Sequence, residues 1–418
     1  MSESTIPLEA RPLNELRPGL FDRFSRTILY SVLKRIRYGK LNIIEGDSRN
    51  SFGSLQEDFP VEATITVKCP DCFGSIVLGG SVGAGESYMA GCWAADDLTN
   101  IIRIFTRNHD ALQAMDSKSA WLTSFFNKVS HRLRRNTKTG SLKNIHAHYD
   151  LGNDFYALFL DRTMTYSCGF FEKTSSSLEE ASIAKYERLC RKIDLKPQDH
   201  VLEIGSGWGG FAIHAAGRYG CRVTTITISR EQYYFAKSRV SEYGLEGCVE
   251  VLFQDYRDVT GTYDKLVSIE MIEAVGHENY ETFFRKCASL ISQTGLMALQ
   301  AIVIADRYFD QAKNSVDFIK KRIFPGGCLP SVSAICEGNS RFTDLQVINL
   351  EDMTNHYPVT LRKWRENFML NYERILSMGY PDSFIRMWEY YLCLCEGAFA
   401  ERHIGAVQVI LAKPAWRI

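Results

Sequence analysis

The spacing of apolar residues changes character near the middle of this chain. Over residues 20–38, LFDRFSRTILYSVLKRIRY, the positions Leu20, Phe24, Ile28, Val32 and Ile36 recur four apart, which predicts one face of an amphipathic helix. Lys34, Arg35 and Arg37 follow, favourable at a helix C-terminus and also suited to an anionic lipid surface. EATITVKC, Glu62 to Cys69, alternates as a half-buried strand does, and GSIVLGGSVGAGESYMAGCW adds strand and turn signals. DDLTNIIRIFTRN, Asp96 to Asn108, predicts a helix opening at an acidic cap. Together these predict a small α+β domain over residues 1–115.

From about residue 180 short apolar runs alternate with helical patterns: HVLEIG, RVTTITI, VEVLFQD, YDKLVSIE and LMALQAIVI. That rhythm predicts an α/β fold with a doubly wound, mostly parallel sheet, assigned to residues 146–418. The last run is bounded by a turn-prone SQTG and carries one amide, Gln300, amid apolar neighbours. A buried amide needs partners for both its donor and its acceptor, so Gln300 is either a satisfied core residue or part of a site.

Charge and cysteine content narrow the picture only locally. Lys+Arg and Asp+Glu both number 49, so net charge points to no nucleic-acid partner. Residues 116–145 are basic and Ser/Asn-rich and read as a linker. The 12 cysteines are scattered, as expected in a reducing cytoplasm. CPDC, with Cys69 and Cys72, has no second pair close in sequence and predicts a turn rather than a metal site. His146 and His148 have metal-like spacing but no third ligand, and no metal is expected. No leader-type or membrane-spanning run is seen.

VLEIGSGWGG places Gly205, Gly207 and Gly209 between a strand and a helix, where the backbone can approach a ligand closely. Gly205, Gly207 and Gly210 also fit a dinucleotide fingerprint. Glu203 opposes that, because its charge repels a pyrophosphate but suits a sulfonium or amino group. The next strand ends without an acid for a ribose; Thr227, Ser229 and Gln232 offer neutral hydrogen bonds instead. Gln254 or Asp255, ending the third strand, can accept from an adenine amino group. The three strand ends together point to S-adenosylmethionine.

Five segments in order, HYDLGNDFYALFLDRTMTYSCGFFE, VLEIGSGWGG, IEMIEAVGHENY, FIKKRIFPGGCLPS and CEGAFAERHIGAVQVILAKP, resemble the cyclopropane-fatty-acyl-phospholipid synthases and related mycolic-acid methyltransferases. Residues 15–110 resemble the N-terminal domain of the phospholipid-acting members. The resemblance implies methyl transfer from S-adenosylmethionine to a cis double bond of a phospholipid acyl chain, followed by proton loss to a bound bicarbonate and ring closure. It implies a cytoplasmic protein that meets its lipid at a membrane surface, and a homodimer. On the cofactor side it adds Tyr166, Ser167 and Trp208. On the bicarbonate side it implies Cys168, Glu273, the backbone of Ile302 and Tyr357. Cys395 matches a cysteine once assigned as nucleophile, a role the chemistry does not require. Gln300 departs from the histidine of better-known members; it can orient an anion but not carry a charge. A methyl- or methylene-branched product, and a non-catalytic lipid-binding scaffold, are the alternatives.

Overall fold

The structure, a computed structural model, describes residues 19–112 and 151–417. They belong to two compact units. The linker expected at 116–145, together with His146 and His148, lies outside the described residues.

In the first unit, α1 (Leu20–Leu33) precedes a four-stranded sheet of order β2-β1-β3-β4: β1 (Gly39–Glu45), β2 (Ser48–Ser54), β3 (Glu62–Val67) and β4 (Trp93–Ala95). The helix expected over 20–38 stops at Leu33, and the apolar stripe is covered only at its end. Val32 and Ile36 are buried, whereas Leu20 and Phe24 are 86% and 64% exposed. The region after Cys69 is a correction. It forms α2 (Asp71–Met89) rather than strand and turns. Its glycines mislead as turn signals, since only Gly80 leaves the helical region, at φ 55°, where it folds the segment back on itself. The helix α3 (Leu98–Arg107) starts as expected, with the Asp97 carboxylate accepting from the Asn100 N–H at 2.9 Å.

The second unit is built on a seven-stranded sheet of order β10-β11-β9-β8-β5-β6-β7. Its strands are β5 (His200–Ile204), β6 (Arg222–Thr227), β7 (Val249–Phe253), β8 (Tyr263–Ile269), β9 (Ile291–Ile304), β10 (Gln346–Asp352) and β11 (Ile404–Ala412). Strands β5 to β9 are mutually parallel; β11 adds antiparallel to β9, and β10 antiparallel to β11. The SQTG stretch does not end β9 but lies within it, across a register irregularity between Tyr263 and Lys265 of β8.

Strand alternation divides the core between the two faces of the sheet. Val201, Val223, Val267, Ala298 and Ile410 pack with α4 (Leu178–Lys192) and α5 (Gly210–Tyr219) on one face. Leu202, Ile226, Leu266, Leu299 and Val409 pack with α7 (Tyr280–Leu290) on the other. Between α5 and α7 in the chain lies α6 (Arg230–Glu242), and α8 (Val332–Phe342) connects β9 to β10. Strand order reverses between β5 and β8, so the carboxyl ends of these two strands flank a topological switch point, where open α/β sheets bind ligands.

Candidate active site

Two segments meet at that switch point. The first is the turn between β5 and α5, where Gly205, Gly207 and Gly209 take φ of 96°, 50° and 86°. These are left-handed conformations that L side chains adopt at a cost. A Cβ on Gly207 would have nothing within 4 Å, so the turn presents bare backbone to open space. The Arg239 guanidinium on α6 ties this turn to the preceding segment, donating to the carbonyl of Trp208 at 2.9 Å and to that of Thr163 at 2.8 Å. The Trp208 indole donates to Asn153 Oδ1 at 2.6 Å.

The second segment follows β8 and carries two carboxylates, Glu270 and Glu273. Sheet register fixes the first: Ile269 pairs with Gln300, and the Glu270 N–H donates to the Gln300 carbonyl at 2.8 Å. Three donors from separate elements then converge on the Glu270 side chain. Gln300 Nε2 donates to Oε1 at 2.8 Å, the Cys168 N–H to Oε1 at 3.0 Å, and the Tyr357 hydroxyl to Oε2 at 2.7 Å. Tyr357 opens α9 (Tyr357–Leu370) and lies flat on Phe399 of α10 (Asp382–Ala400), ring centroids 4.0 Å apart. The Ile302 N–H donates to Glu273 Oε1, while the buried Glu273 Oε2 has no hydrogen-bond partner among the described residues.

Gln300 is satisfied at both ends. It faces the α4 side of the sheet, directly opposite Gln408 of β11. Lys192 Nζ donates to Gln408 Oε1 at 2.8 Å, Gln408 Nε2 donates to Gln300 Oε1 at 3.0 Å, and Gln300 Nε2 then points at Glu270. Because an ammonium can only donate, Lys192 dictates the orientation of both amides.

The electrostatics separate the two carboxyls. Burial, then the charge of Glu270, pushes the Glu273 carboxyl up to about 8. Burial also raises Glu270, but its hydrogen bonds from Tyr357, Gln300 and Cys168 act in the opposite direction. Burial lowers the Lys185 ammonium to about 8, against the raising effect of Glu270; its Nζ donates to Ser167 Oγ at 2.7 Å. At neutral pH Glu273 is therefore the neutral acid of the pair, whereas three donors favour the charged form of Glu270 against its burial.

The residues expected from the sequence are not all placed alike. Cys168 contributes its backbone, not its thiol, which is fully buried and raised well above the ordinary range by burial. Cys395 lies on α10 with a thiol likewise raised by burial, which suppresses the thiolate a nucleophile needs. Glu203 is 2% exposed and accepts from Thr225 Oγ1 at 2.5 Å on the neighbouring strand. Thr227 Oγ1 donates to Gln232 Oε1 at 2.9 Å and Ser229 caps α6, so these three shape the β6 end mainly by holding one another. Arg257 holds Asp255 at 2.6 Å, which leaves Gln254 the better adenine partner of the two. Tyr166 is half-buried, its hydroxyl 2.8 Å from that of Tyr391. Glu270, Gln408 and Lys185 are additions. Only Glu270 left a trace in the sequence, as a second acid three residues before Glu273 at a strand tip.

Comparison with known proteins now places this geometry. The family model described as Mycolic acid cyclopropane synthetase matches residues 136–409. The chain belongs to this family. It is 37% identical over 358 residues to the cyclopropane-fatty-acyl-phospholipid synthase of Escherichia coli K12, covering 84% of this chain and 88% of that protein. It is 36% identical over 341 residues to the tuberculostearic acid methyltransferase UfaA1 of Mycobacterium tuberculosis, covering 80% and 79% respectively. The mycolic acid cyclopropane synthase CmaA1, solved with SAH and CTAB, superposes with a TM-score of 0.61 at 30% identity, covering 65% of this chain and 98% of that one. Like these relatives, the chain is an S-adenosylmethionine-dependent methyltransferase of cyclopropane synthase type.

The residues present fit the cofactor. The bare backbone of the Gly205–Gly209 turn, the Thr227–Gln232 corner and Gln254 all stand at carboxyl ends of adjacent strands. They do not fit a bound bicarbonate. The donors expected to hold it, Tyr357, Gln300 and the backbone at Cys168 and Ile302, are all engaged by the chain's own two carboxylates.

Proposed function

We propose that this family member modifies the cis double bond of an unsaturated phospholipid acyl chain and makes a cyclopropane. The observation that carries this is the meeting of a glycine turn with a carboxylate held by three donors at one switch point. S-adenosylmethionine, when bound, supplies an electrophilic methyl group. An alkene is a weak nucleophile, and its attack leaves positive charge on carbon. The chain's residues answer that charge. The Glu270 carboxylate, oriented by Tyr357, Gln300 and Cys168, provides fixed negative charge, and neutral Glu273 adds no competing charge. The half-buried Tyr166 and Phe324 rings, 6.4 Å apart, support an apolar wall that keeps water away.

A membrane surface as the place of reaction is supported by the exposed Leu20, Phe21 and Phe24 of α1 together with exposed Lys34, Arg35 and Arg37. Among the described residues no helix is long and apolar enough to cross a membrane. A methyl- or methylene-branched product is the second reading, favoured by the relative named as a tuberculostearic acid methyltransferase.

The test is incubation with labelled S-adenosylmethionine and liposomes of monounsaturated phospholipid, with mass spectrometry of the acyl chains. Gain of one CH₂ with loss of the double bond supports cyclopropanation; gain with an olefin retained supports the branched product. Cofactor binding without label in lipid would overturn both.

A further inference from the structure

We propose that Glu270 is a catalytic residue of this chain: a built-in base that accepts the proton released at the reacting double bond, in the place where a separate bicarbonate was expected. This rests on the lipid-methyltransferase function proposed above.

Three observations converge. The first is occupancy. Glu270 accepts from Tyr357, Gln300 and Cys168, and those three groups make a ready-made anion cradle. A carboxylate offers about four lone-pair sites, so three bonds leave one for a proton. The second is backbone conformation. Glu270 sits at φ 50°, a left-handed position suited to glycine and costing an L residue about 1–2 kcal/mol. A strained glutamate whose side chain collects three donors is a placement with a purpose at the site rather than a packing solution. The third is the amide relay. Lys192 fixes Gln408, Gln408 fixes Gln300, and Gln300 is thereby committed to donating to Glu270. Gln300 itself cannot take up a proton near neutral pH, so the titratable group at this spot is the carboxylate.

The step balances without a further reagent. The C–S bond of the sulfonium breaks as the first alkene carbon bonds to the methyl carbon, leaving the cation on the second alkene carbon. Glu270 removes a proton from the transferred methyl group. The electron pair of that C–H bond closes the ring onto the cationic carbon. The proton, now on Glu270, returns to solvent before the next turnover. Removal of a proton from a neighbouring chain carbon instead would give a methyl-branched olefin, so the same base serves either product.

The experiment compares wild type, Glu270→Gln and Glu270→Gly, each with labelled S-adenosylmethionine and monounsaturated liposomes. Each is assayed in carbon-dioxide-depleted buffer and again with added bicarbonate. Cofactor binding by calorimetry reports whether each variant is folded. Wild-type turnover is expected to be indifferent to bicarbonate. Glu270→Gln is expected to lose about 100-fold or more of its turnover and gain nothing from bicarbonate, because its amide still fills the cradle. Glu270→Gly, which suits the backbone and empties the cradle, is expected to be as slow in depleted buffer and to recover about 10-fold or more with bicarbonate. A purely structural role for Glu270 would show no such rescue. Wild-type transfer that collapses on bicarbonate depletion, or a Gln variant that keeps its turnover, overturns the assignment while leaving the lipid function standing. Absence of transfer by wild type under all conditions overturns both. Should a variant fail to bind cofactor, the wild-type depletion arm alone still decides.

Discussion

Replacing Glu273 by glutamine is expected to make the protein more stable at neutral pH. The carboxyl stands at about 8 in the folded chain against an ordinary 4.5, chiefly through burial and then the charge of Glu270. A carboxyl raised by folding binds more protons in the native state than in the unfolded one. Its contribution to stability therefore falls as pH rises from 4.5 to about 8. At pH 7 folding takes up that proton about 2.5 pH units above the ordinary value, which at ~1.4 kcal/mol per unit costs about 3 kcal/mol. Part of the residue is exposed although Oε2 is buried, and the effective dielectric of a folded site reduces the cost to about 2 kcal/mol. Glutamine mimics the neutral acid: its carbonyl can keep the bond from the Ile302 N–H, and no proton uptake is needed. Glu273→Gln should gain about 2 kcal/mol at pH 7 and less than about 1 kcal/mol at pH 5. The assay is urea unfolding at both pH values, read by hydrogen exchange of β9 amides so that the measurement belongs to this unit. A variant no more stable than wild type at pH 7, or one with the same difference at both pH values, would refute a neutral Glu273.

Tyr357→Phe removes one donor from Glu270 and should lower turnover about 10- to 100-fold, the worth of a hydrogen bond to a charged group, with cofactor affinity preserved. Lys192→Met releases Gln408 and, through it, Gln300; steady-state assays should show turnover reduced about 5- to 30-fold although Lys192 belongs to α4 and reaches Glu270 through two intervening amides. Gly209→Ala places a Cβ at φ 86° and 3.3 Å from that of Ala236, and calorimetry should find cofactor binding weakened about 10-fold or more.

Buried parallel strands and tight turns leave local signatures, so the α/β class, the five parallel strands and the glycine turn were legible in the residues alone. A family resemblance also placed Gln300, Tyr357 and Ile302 in one site. The alternation in EATITVKC and the cap at Asp97 were equally local and equally legible. Glycine was the ambiguous signal. It marked a real ligand turn at Gly205–Gly209 but suggested strands and turns after Cys69, where most of the run is helical. Which residues meet, by contrast, is set by the folded sheet. Gln300 and Gln408 are 108 residues apart and become partners solely because β11 runs antiparallel to β9 in one register. Glu270 looked like the last residue of a strand until that register turned it toward Tyr357, 87 residues away. The different settings of the two carboxyls likewise follow from burial and from the number of donors each receives, and neither is a property of a residue's place in the sequence.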